Sequence, residues 1–148
     1  MSKRPPFSKA QMPDGYWQGT LVDGRFIKGL ELFNEGKLYD CHEVIEDLWL
    51  NTKAADPYRD LYKGVIQAAA AIYQFERGIF SGALGLYQTS VNYLAQYEPQ
   101  ALGLETTALI HDLKKCFHGP AHSRAKEGNC RFDRSRVPQL QFGFEKSS

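Results

Sequence analysis

The chain has few cysteines and no long apolar run, and both absences narrow the class of protein. Its 148 residues include three cysteines at irregular spacing, an odd number that does not make a disulfide framework. We therefore expect a reducing compartment and a cytoplasmic protein. The apolar stretch of helical pattern at 64–75 is interrupted by Gln67 and Gln74 and is too short to span a bilayer. No membrane partner is expected.

An excess of charge of either sign is also missing. The formal net charge is +1, so the chain has no global field that would attract nucleic acid or a membrane surface. The region after Phe117 is basic, with six Lys or Arg against three Asp or Glu. An excess of this size is typical of a solvated surface, which makes nucleic acid an unfavoured partner. Weak nucleic-acid binding through this region stays as a second alternative function.

What the sequence does contain is helical periodicity. With 43% hydrophobic residues, the chain is long enough for one well-buried core. Caps, glycines and prolines divide the pattern into helices from Asp23 to Gly36, Leu38 to Asn51, Asp56 to Gly78, Ser81 to Gln96 and Glu105 to Phe117. No segment alternates strongly enough to predict a strand.

These segments predict an all-α protein, a compact bundle of about five helices arranged as antiparallel hairpins. We expect an irregular N-terminal arm at 1–22, a helical domain at 23–118 and an irregular basic C-terminal tail at 119–148. Gly64, inside the third helix, costs about 1 kcal/mol relative to alanine, which predicts close contact with a neighbouring backbone. The tail is expected to lie back across the bundle or onto a second subunit, because it ends in the apolar residues Val137, Leu140, Phe142 and Phe144.

Polar residues border the apolar faces of the second and third helices. His42 and Glu46 are one turn apart and share a face of the second helix. Arg59, Lys63 and Gln67 are spaced in the same way on the third helix. Buried polar groups are usually paired, so the sequence predicts a network in which Arg59 pairs with Glu46 and Gln67 bonds to His42. The candidate site comprises His42, Glu43, Glu46, Trp49, Arg59, Lys63 and Gln67.

The same residues allow a metal or an anion to be considered. His42-Glu43-x-x-Glu46 begins like the zinc-protease helix His-Glu-x-x-His, but Glu46 replaces the second imidazole. Arg59 and Lys63 would repel a metal ion, so we expect no metal and no cofactor. A site in which His42 titrates while a cation holds a carboxylate or phosphate remains open. No residue is assigned a catalytic role, because the sequence supplies no nucleophile or substrate groove.

Cysteine and histidine also occur together near the fifth helix. Cys116, His118, His122 and Cys130 contain the residue types of a tetrahedral zinc site. Their spacing matches no standard zinc knuckle, and Cys116 falls on the apolar side of the helix. Ordinary loop histidines and free thiols are the favoured interpretation.

Spaced residues between Phe26 and Leu94 form a specific pattern. They are Phe33-Asn34-Glu35-Gly36, Tyr39, Cys41-His42-Glu43, Glu46, Trp49, Arg59, Leu61-Tyr62-Lys63-Gly64, Ile66-Gln67-Ala68, Gly82-Ala83 and Leu86. This pattern resembles the domain of unknown function 309 family, which implies a small all-helical fold and no established activity. The positions that match the family's polar pattern are His42, Glu43, Glu46, Trp49, Arg59 and Gln67. The chain departs from it at Gln74, where histidine is common, and at Ile79, where Gly-Asn is usual.

Two classes of function stay open. The leading hypothesis is a non-catalytic structural or protein-interaction domain, in which the polar network sets the angle between two helices and leaves a surface for self-association or a protein partner. The alternative is a ligand-binding or hydrolase-like enzyme that uses the same residues. Burial distinguishes them, because closed and mutually bonded side chains favour a structural role and an open cleft favours chemistry.

Overall fold

The computed structural model describes residues 7–119 and 131–146. These residues form five α-helices that pack against one another and a small antiparallel sheet, so the predicted helical bundle is confirmed. The helices are α1 (Gly24–Asn34), α2 (Leu38–Leu50), α3 (Arg59–Glu76), α4 (Phe80–Ala95) and α5 (Thr106–Cys116). The strands are β1 (Gly15–Trp17), β2 (Thr20–Val22) and β3 (Glu145–Lys146). No helix within the described ranges combines the length and apolarity that crossing a membrane requires.

Local chemistry sets the ends of several helices. The Asp23 carboxylate accepts a hydrogen bond from the Arg25 N–H and caps α1, as predicted. α1 and α3 are each followed by a glycine in the left-handed region, Gly36 and Gly78, both with φ of 79°. In both cases the residue after the glycine donates its N–H to a carbonyl of the last helical turn at 2.9 Å. This arrangement satisfies carbonyls that the helix leaves unpaired.

The third helix begins later than the sequence predicts. The pattern places its start at Asp56 and Pro57, whereas α3 begins at Arg59. The Asp56 carboxylate accepts a 2.8 Å hydrogen bond from the Tyr58 N–H, and the Asp56 carbonyl accepts one of 3.3 Å from the Arg59 N–H. Asp56 therefore closes a turn ahead of the helix instead of capping its first residue.

Helix α3 lies at the centre of the core, in contact with both α2 and α4. At its α4 side, a β-carbon added to Gly64 would come within 2.8 Å of the Leu94 side chain. The buried hydroxyl of Ser90 donates a 2.7 Å hydrogen bond to the Gly64 carbonyl. Gly64 is therefore closely packed against α4, but the nearest atoms belong to the side chains of Leu94 and Tyr93 and not to the neighbouring backbone that the sequence predicted.

The three-stranded sheet, in the order β2-β1-β3, joins the two ends of the chain. β1 and β2 form a hairpin whose turn residues, Gln18 and Gly19, both have positive φ. Strands of two or three residues are too short to show the alternation by which a strand is predicted. The sheet therefore leaves no clear signal in the sequence.

The apolar end of the chain lies against the helical body, one of the two positions expected for it. Leu140 is buried, and its backbone makes two hydrogen bonds with the Asn34 side chain, of 2.6 and 2.9 Å. Phe142 and Phe144 pack against the core, and β3 then pairs with β1. These contacts bring the last described residues back to the first helix and the first strand.

Candidate functional site

Helix α2 turns one side to the core and presents the adjoining side next to α3. Cys41, Ile45 and Leu48 are buried, and they fix the rotation of the helix. His42 lies at the edge of this core with 30% of its side chain exposed, whereas Glu46 is 41% exposed. Both predicted site residues are therefore accessible to solvent.

His42 lies between two carboxylates. Its Nε2 atom is 3.1 Å from Glu46 Oε2, and its Nδ1 atom is 4.0 Å from Glu43 Oε1. The shorter contact follows from the one-turn spacing of His42 and Glu46 on a helix.

The cations of α3 pack on the indole ring of Trp49. The guanidinium carbon of Arg59 is 4.2 Å from the ring centroid, and Lys63 Nζ is 4.3 Å from it. Contacts of this kind contribute about 0.5–1 kcal/mol at exposed sites. Arg59 also donates a long hydrogen bond, 3.4 Å, to the Thr52 carbonyl. In the part of the chain that the structure describes, neither cation has a carboxylate within 4.0 Å.

The predicted polar network is wrong in its pairings. Glu46 turns to His42 on its own helix, and Arg59 stacks on Trp49, so the expected ion pair between Arg59 and Glu46 does not form. The Trp49 ring occupies the space beside Arg59 and Lys63, which explains why their charges do not reach α2 carboxylates. The bond expected between Gln67 and His42 is not formed either, since Gln67 Oε1 and His42 Nδ1 both lack a partner.

Buried polar atoms without a hydrogen-bond partner are concentrated on α2 and α3. Among the described residues, the buried side-chain atoms without a hydrogen-bond partner are His42 Nδ1, Trp49 Nε1, Gln67 Oε1 and Gln74 Oε1. Helical spacing places Gln67 and Gln74 on the stripe of α3 that carries the two cations. An unpaired buried polar group costs about 1–3 kcal/mol, and native proteins contain few of them.

Two tyrosines that were not among the predicted site residues extend this surface. Tyr39 is 48% exposed, and its ring centroid is 5.9 Å from that of Tyr73 and 6.4 Å from that of His42. Tyr39 is three residues before His42, so its helical spacing was a usable signal. We call the α2–α3 face the surface formed by Tyr39, His42, Glu46, Trp49, Arg59, Lys63, Gln67, Tyr73 and Gln74. Glu43 adjoins it beside His42.

The second candidate cluster is only partly described. Cys116 is buried at the end of α5, and burial raises the pKa of its thiol to about 11, which disfavours the thiolate that binds metals. His118 is exposed just after the helix. His122 and Cys130 lie outside the described residues. Within 7–119 and 131–146, no group of three His, Cys, Asp or Glu residues is placed to hold a metal ion.

The positions of the cavities show which residues could line a substrate site. A cavity of about 740 Å³ lies beside α5, where His111 and Arg136 line it, and one of about 550 Å³ lies beside Arg25. Neither is lined by a residue of the α2–α3 face. A smaller hollow of about 190 Å³ adjoins the face at its tyrosine end, beside Tyr39 and Tyr73, and His42 does not line it. His42, Glu43 and Glu46 line none of these three cavities.

The thiol nearest to His42 in sequence gives no sign of reactivity. Cys41 is fully buried, and burial raises the pKa of its thiol well above the ordinary value. A thiol that stays protonated is a poor nucleophile. The α2–α3 face is thus a partly exposed surface without an activated thiol beside its histidine.

The region that builds this surface has a counterpart in a known family. Residues 26–86 match the family Domain of unknown function (DUF309). The resemblance drawn from the spaced residues is therefore confirmed. The DUF309 region runs from α1 into α4 and contains every residue of the α2–α3 face. A search of curated proteins gave no match.

Proposed function

We propose that the protein is a non-catalytic binding domain that docks a protein partner on the α2–α3 face. The observation that carries this proposal is the concentration of unpaired buried polar atoms on α2 and α3. Each such atom raises the free energy of the isolated chain by about 1–3 kcal/mol. A partner lowers that cost when these side chains turn outward and pair with it.

The charges and rings of the face support the same proposal. Arg59 and Lys63 both contact the Trp49 ring, and no carboxylate of the described chain lies between these like charges. A carboxylate from a partner would pair with both. Trp, Tyr and Arg are also the side chains most enriched among the residues that dominate protein interfaces. The face carries Trp49, Arg59 and two tyrosines.

The proposed compartment is the cytoplasm. Cys41 and Cys116 are both free thiols buried in the core, as suits a protein that functions in a reducing environment. A binding partner is accordingly sought among cytoplasmic proteins.

Site-specific crosslinking in cells of the source organism tests the proposal. A photoreactive phenylalanine replaces Tyr39, which is 48% exposed on the α2–α3 face. The matched control replaces Tyr16, which is 38% exposed on β1. We expect a crosslinked product of discrete mass from position 39, and its loss when Lys63→Glu is added, because the charge reversal removes an anchor for the partner.

The identity of the product follows from mass spectrometry of the crosslinked peptides. A product that forms at position 39, depends on Lys63 and is absent at position 16 supports docking on this face. An absence of product at position 39 in cells that accumulate the folded protein contradicts the proposal. Equal products at both positions contradict it as well, since they show no preference for the α2–α3 face.

A further inference from the structure

The charges of the α2–α3 face fall into two unlike halves. α2 contributes the carboxylate of Glu46, and α3 contributes the cations of Lys63 and Arg59. Glu46 and Lys63 make no ion pair with each other in the described structure. A uniformly acidic partner would satisfy the cations but would be repelled by Glu46. The face therefore favours a partner that carries both signs of charge.

The direction of the two helices makes this pattern complementary to itself. Trp49, near the end of α2, contacts Arg59 at the start of α3. Tyr39, at the start of α2, contacts Tyr73 near the end of α3, so the helices are antiparallel. A half-turn about an axis that lies in the face, midway between the two helices and parallel to them, lays α2 of one copy over α3 of the other in antiparallel orientation.

We propose that the partner on the α2–α3 face is a second copy of this chain, docked about a two-fold axis that passes between Glu46 and Lys63. This inference rests on the proposed function. Glu46 of each copy then meets Lys63 of the other. Arg59 precedes Lys63 by four residues and Trp49 follows Glu46 by three, so in this antiparallel pair the same half-turn places Arg59 of one copy over Trp49 of the other.

The unpaired polar side chains match under the same operation. Gln67 follows Lys63 by four residues, and His42 precedes Glu46 by four, so the half-turn brings Gln67 of one copy over His42 of the other. Gln67 Oε1 and His42 Nδ1 both lack a hydrogen-bond partner within the described chain. One symmetry axis thus pairs unlike charges and sets two side chains with unpaired polar atoms opposite each other.

Exchange of charges between two variants gives the sharpest test. Sedimentation equilibrium of the purified full chain, over about a hundredfold range of concentration, is expected to show a dimer. Glu46→Lys alone and Lys63→Glu alone each place like charges together twice in the dimer. Each should raise the dimer dissociation constant by roughly tenfold or more. An equimolar mixture of the two variants should dimerise again, because the lysine introduced into one variant then meets the glutamate introduced into the other.

Matched controls separate this effect from a general change of charge. Glu31→Lys on α1 and Lys115→Glu on α5 make the same reversals at exposed positions away from the face and should leave dimerisation unchanged. Thermal unfolding of every variant reports whether it is folded. If a charge reversal unfolds the chain, Glu46→Gln and Lys63→Met weaken the dimer through loss of attraction without introducing repulsion.

Each outcome decides the proposal. A wild-type dimer, two weakened variants and a restored mixture support it. A wild-type monomer throughout the concentration range overturns it, and so does a dimer that both reversals leave intact. A wild-type monomer whose position 39 crosslinks in cells to a different protein would overturn the second copy while the proposed function stands. A monomer without any crosslink at position 39 would defeat both.

Discussion

On the side of helix α3 that packs against α4, the carbonyl of Gly64 accepts a 2.7 Å hydrogen bond from the fully buried hydroxyl of Ser90. On the α2–α3 face, the same helix carries Gln67 and Gln74, whose buried Oε1 atoms accept nothing. The α4 side is closely packed, with Leu94 in contact at Gly64. One helix therefore has one side whose hydrogen bonding is complete and one side whose hydrogen bonding is not.

This difference shows that burial and pairing are separate properties. A side that exists only to hold the fold together is selected for both, since each unpaired group subtracts from a small net stability. A side that binds a partner keeps polar groups that form hydrogen bonds only in the complex. The α4 side should thus respond to mutation through folding, and the α2–α3 face through binding.

The largest expected effect is at the close approach of α3 and α4. Gly64→Ala places a β-carbon 2.8 Å from Leu94, so we expect a loss of about 1–3 kcal/mol in the free energy of unfolding despite the better helix propensity of alanine. Denaturant unfolding measures it. Gly85→Ala is the matched control on α4, where nothing lies within 4 Å of an added β-carbon.

Gly85→Ala should raise stability by about 0.5–1 kcal/mol through propensity alone. Equal gains for both substitutions would mean that α3 and α4 do not approach closely at Gly64, and the contrast between the two sides of α3 would fail.

A smaller effect is expected from the hydrogen bond of the same contact. Ser90→Ala removes the donor to the Gly64 carbonyl and should cost about 1 kcal/mol. Thr89→Ala is the control, since Thr89 also donates to a glycine carbonyl, that of Gly85, but is exposed. Exposed substitutions of this kind usually change stability by less than about 0.5 kcal/mol. Thermal or urea unfolding that ranks Thr89→Ala above Ser90→Ala in cost would contradict the paired, closed character of the α4 side.

Two arginines extend the comparison to charge. Arg25 lies between Asp23 and Asp47, with hydrogen bonds of 2.8 to 3.0 Å to both, whereas Arg59 has no carboxylate among the described residues. Burial acts to raise the pKa of Asp23, but the hydrogen bonds and charge of Arg25 outweigh it and leave the pKa below the ordinary value of 3.8. A carboxylate with a lowered folded pKa stabilises the fold above its unfolded pKa, and this contribution is lost as the pH falls through the folded value.

Asp23→Asn should therefore cost up to about 1 kcal/mol near neutral pH, because asparagine keeps the helix cap but loses the charge. The difference from wild type should shrink as the pH falls below about 4. Glu31→Gln on the exposed side of α1 is the control. A difference that stays constant in chemical denaturation down to about pH 3 would show that Asp23 contributes only as a neutral cap.

The sequence predicted correctly the features that depend on residues close together in the chain. The Asp23 cap and the Gly36 and Gly78 stops depend on residues within one turn, and the sequence located all three. The small sheet was missed, because β3 joins β1 across more than a hundred residues and the strands are too short to show a pattern.

The same limit applies to the candidate site, where the sequence predicted a contact within one helix but not the contacts between two helices. One-turn spacing on α2 indicated that His42 and Glu46 share a face, and the two side chains do meet. Contacts between helices depend on rotamers and on which side chain fills the space between them. Trp49 fills it here, so the pairing of Arg59 with Glu46 was predicted wrongly. Gln74 carried no signal beyond its departure from the family pattern, yet it holds one of the unpaired atoms.

The smallest expected effect on stability is also the most informative about the face. Gln67→Met replaces an unpaired amide with an apolar side chain of similar length and helix propensity, so the monomer loses no hydrogen bond. We expect the free energy of unfolding, measured at low protein concentration, to change by less than about 0.5 kcal/mol. A loss of more than about 1 kcal/mol would mean that water forms a hydrogen bond with the amide in the folded chain. The polar groups of α3 on the α2–α3 face would then be paired, like those on its α4 side. If folding is unchanged while dimerisation weakens in sedimentation equilibrium, Gln67 acts in binding alone, because only the dimer then contains the bond that the substitution removes.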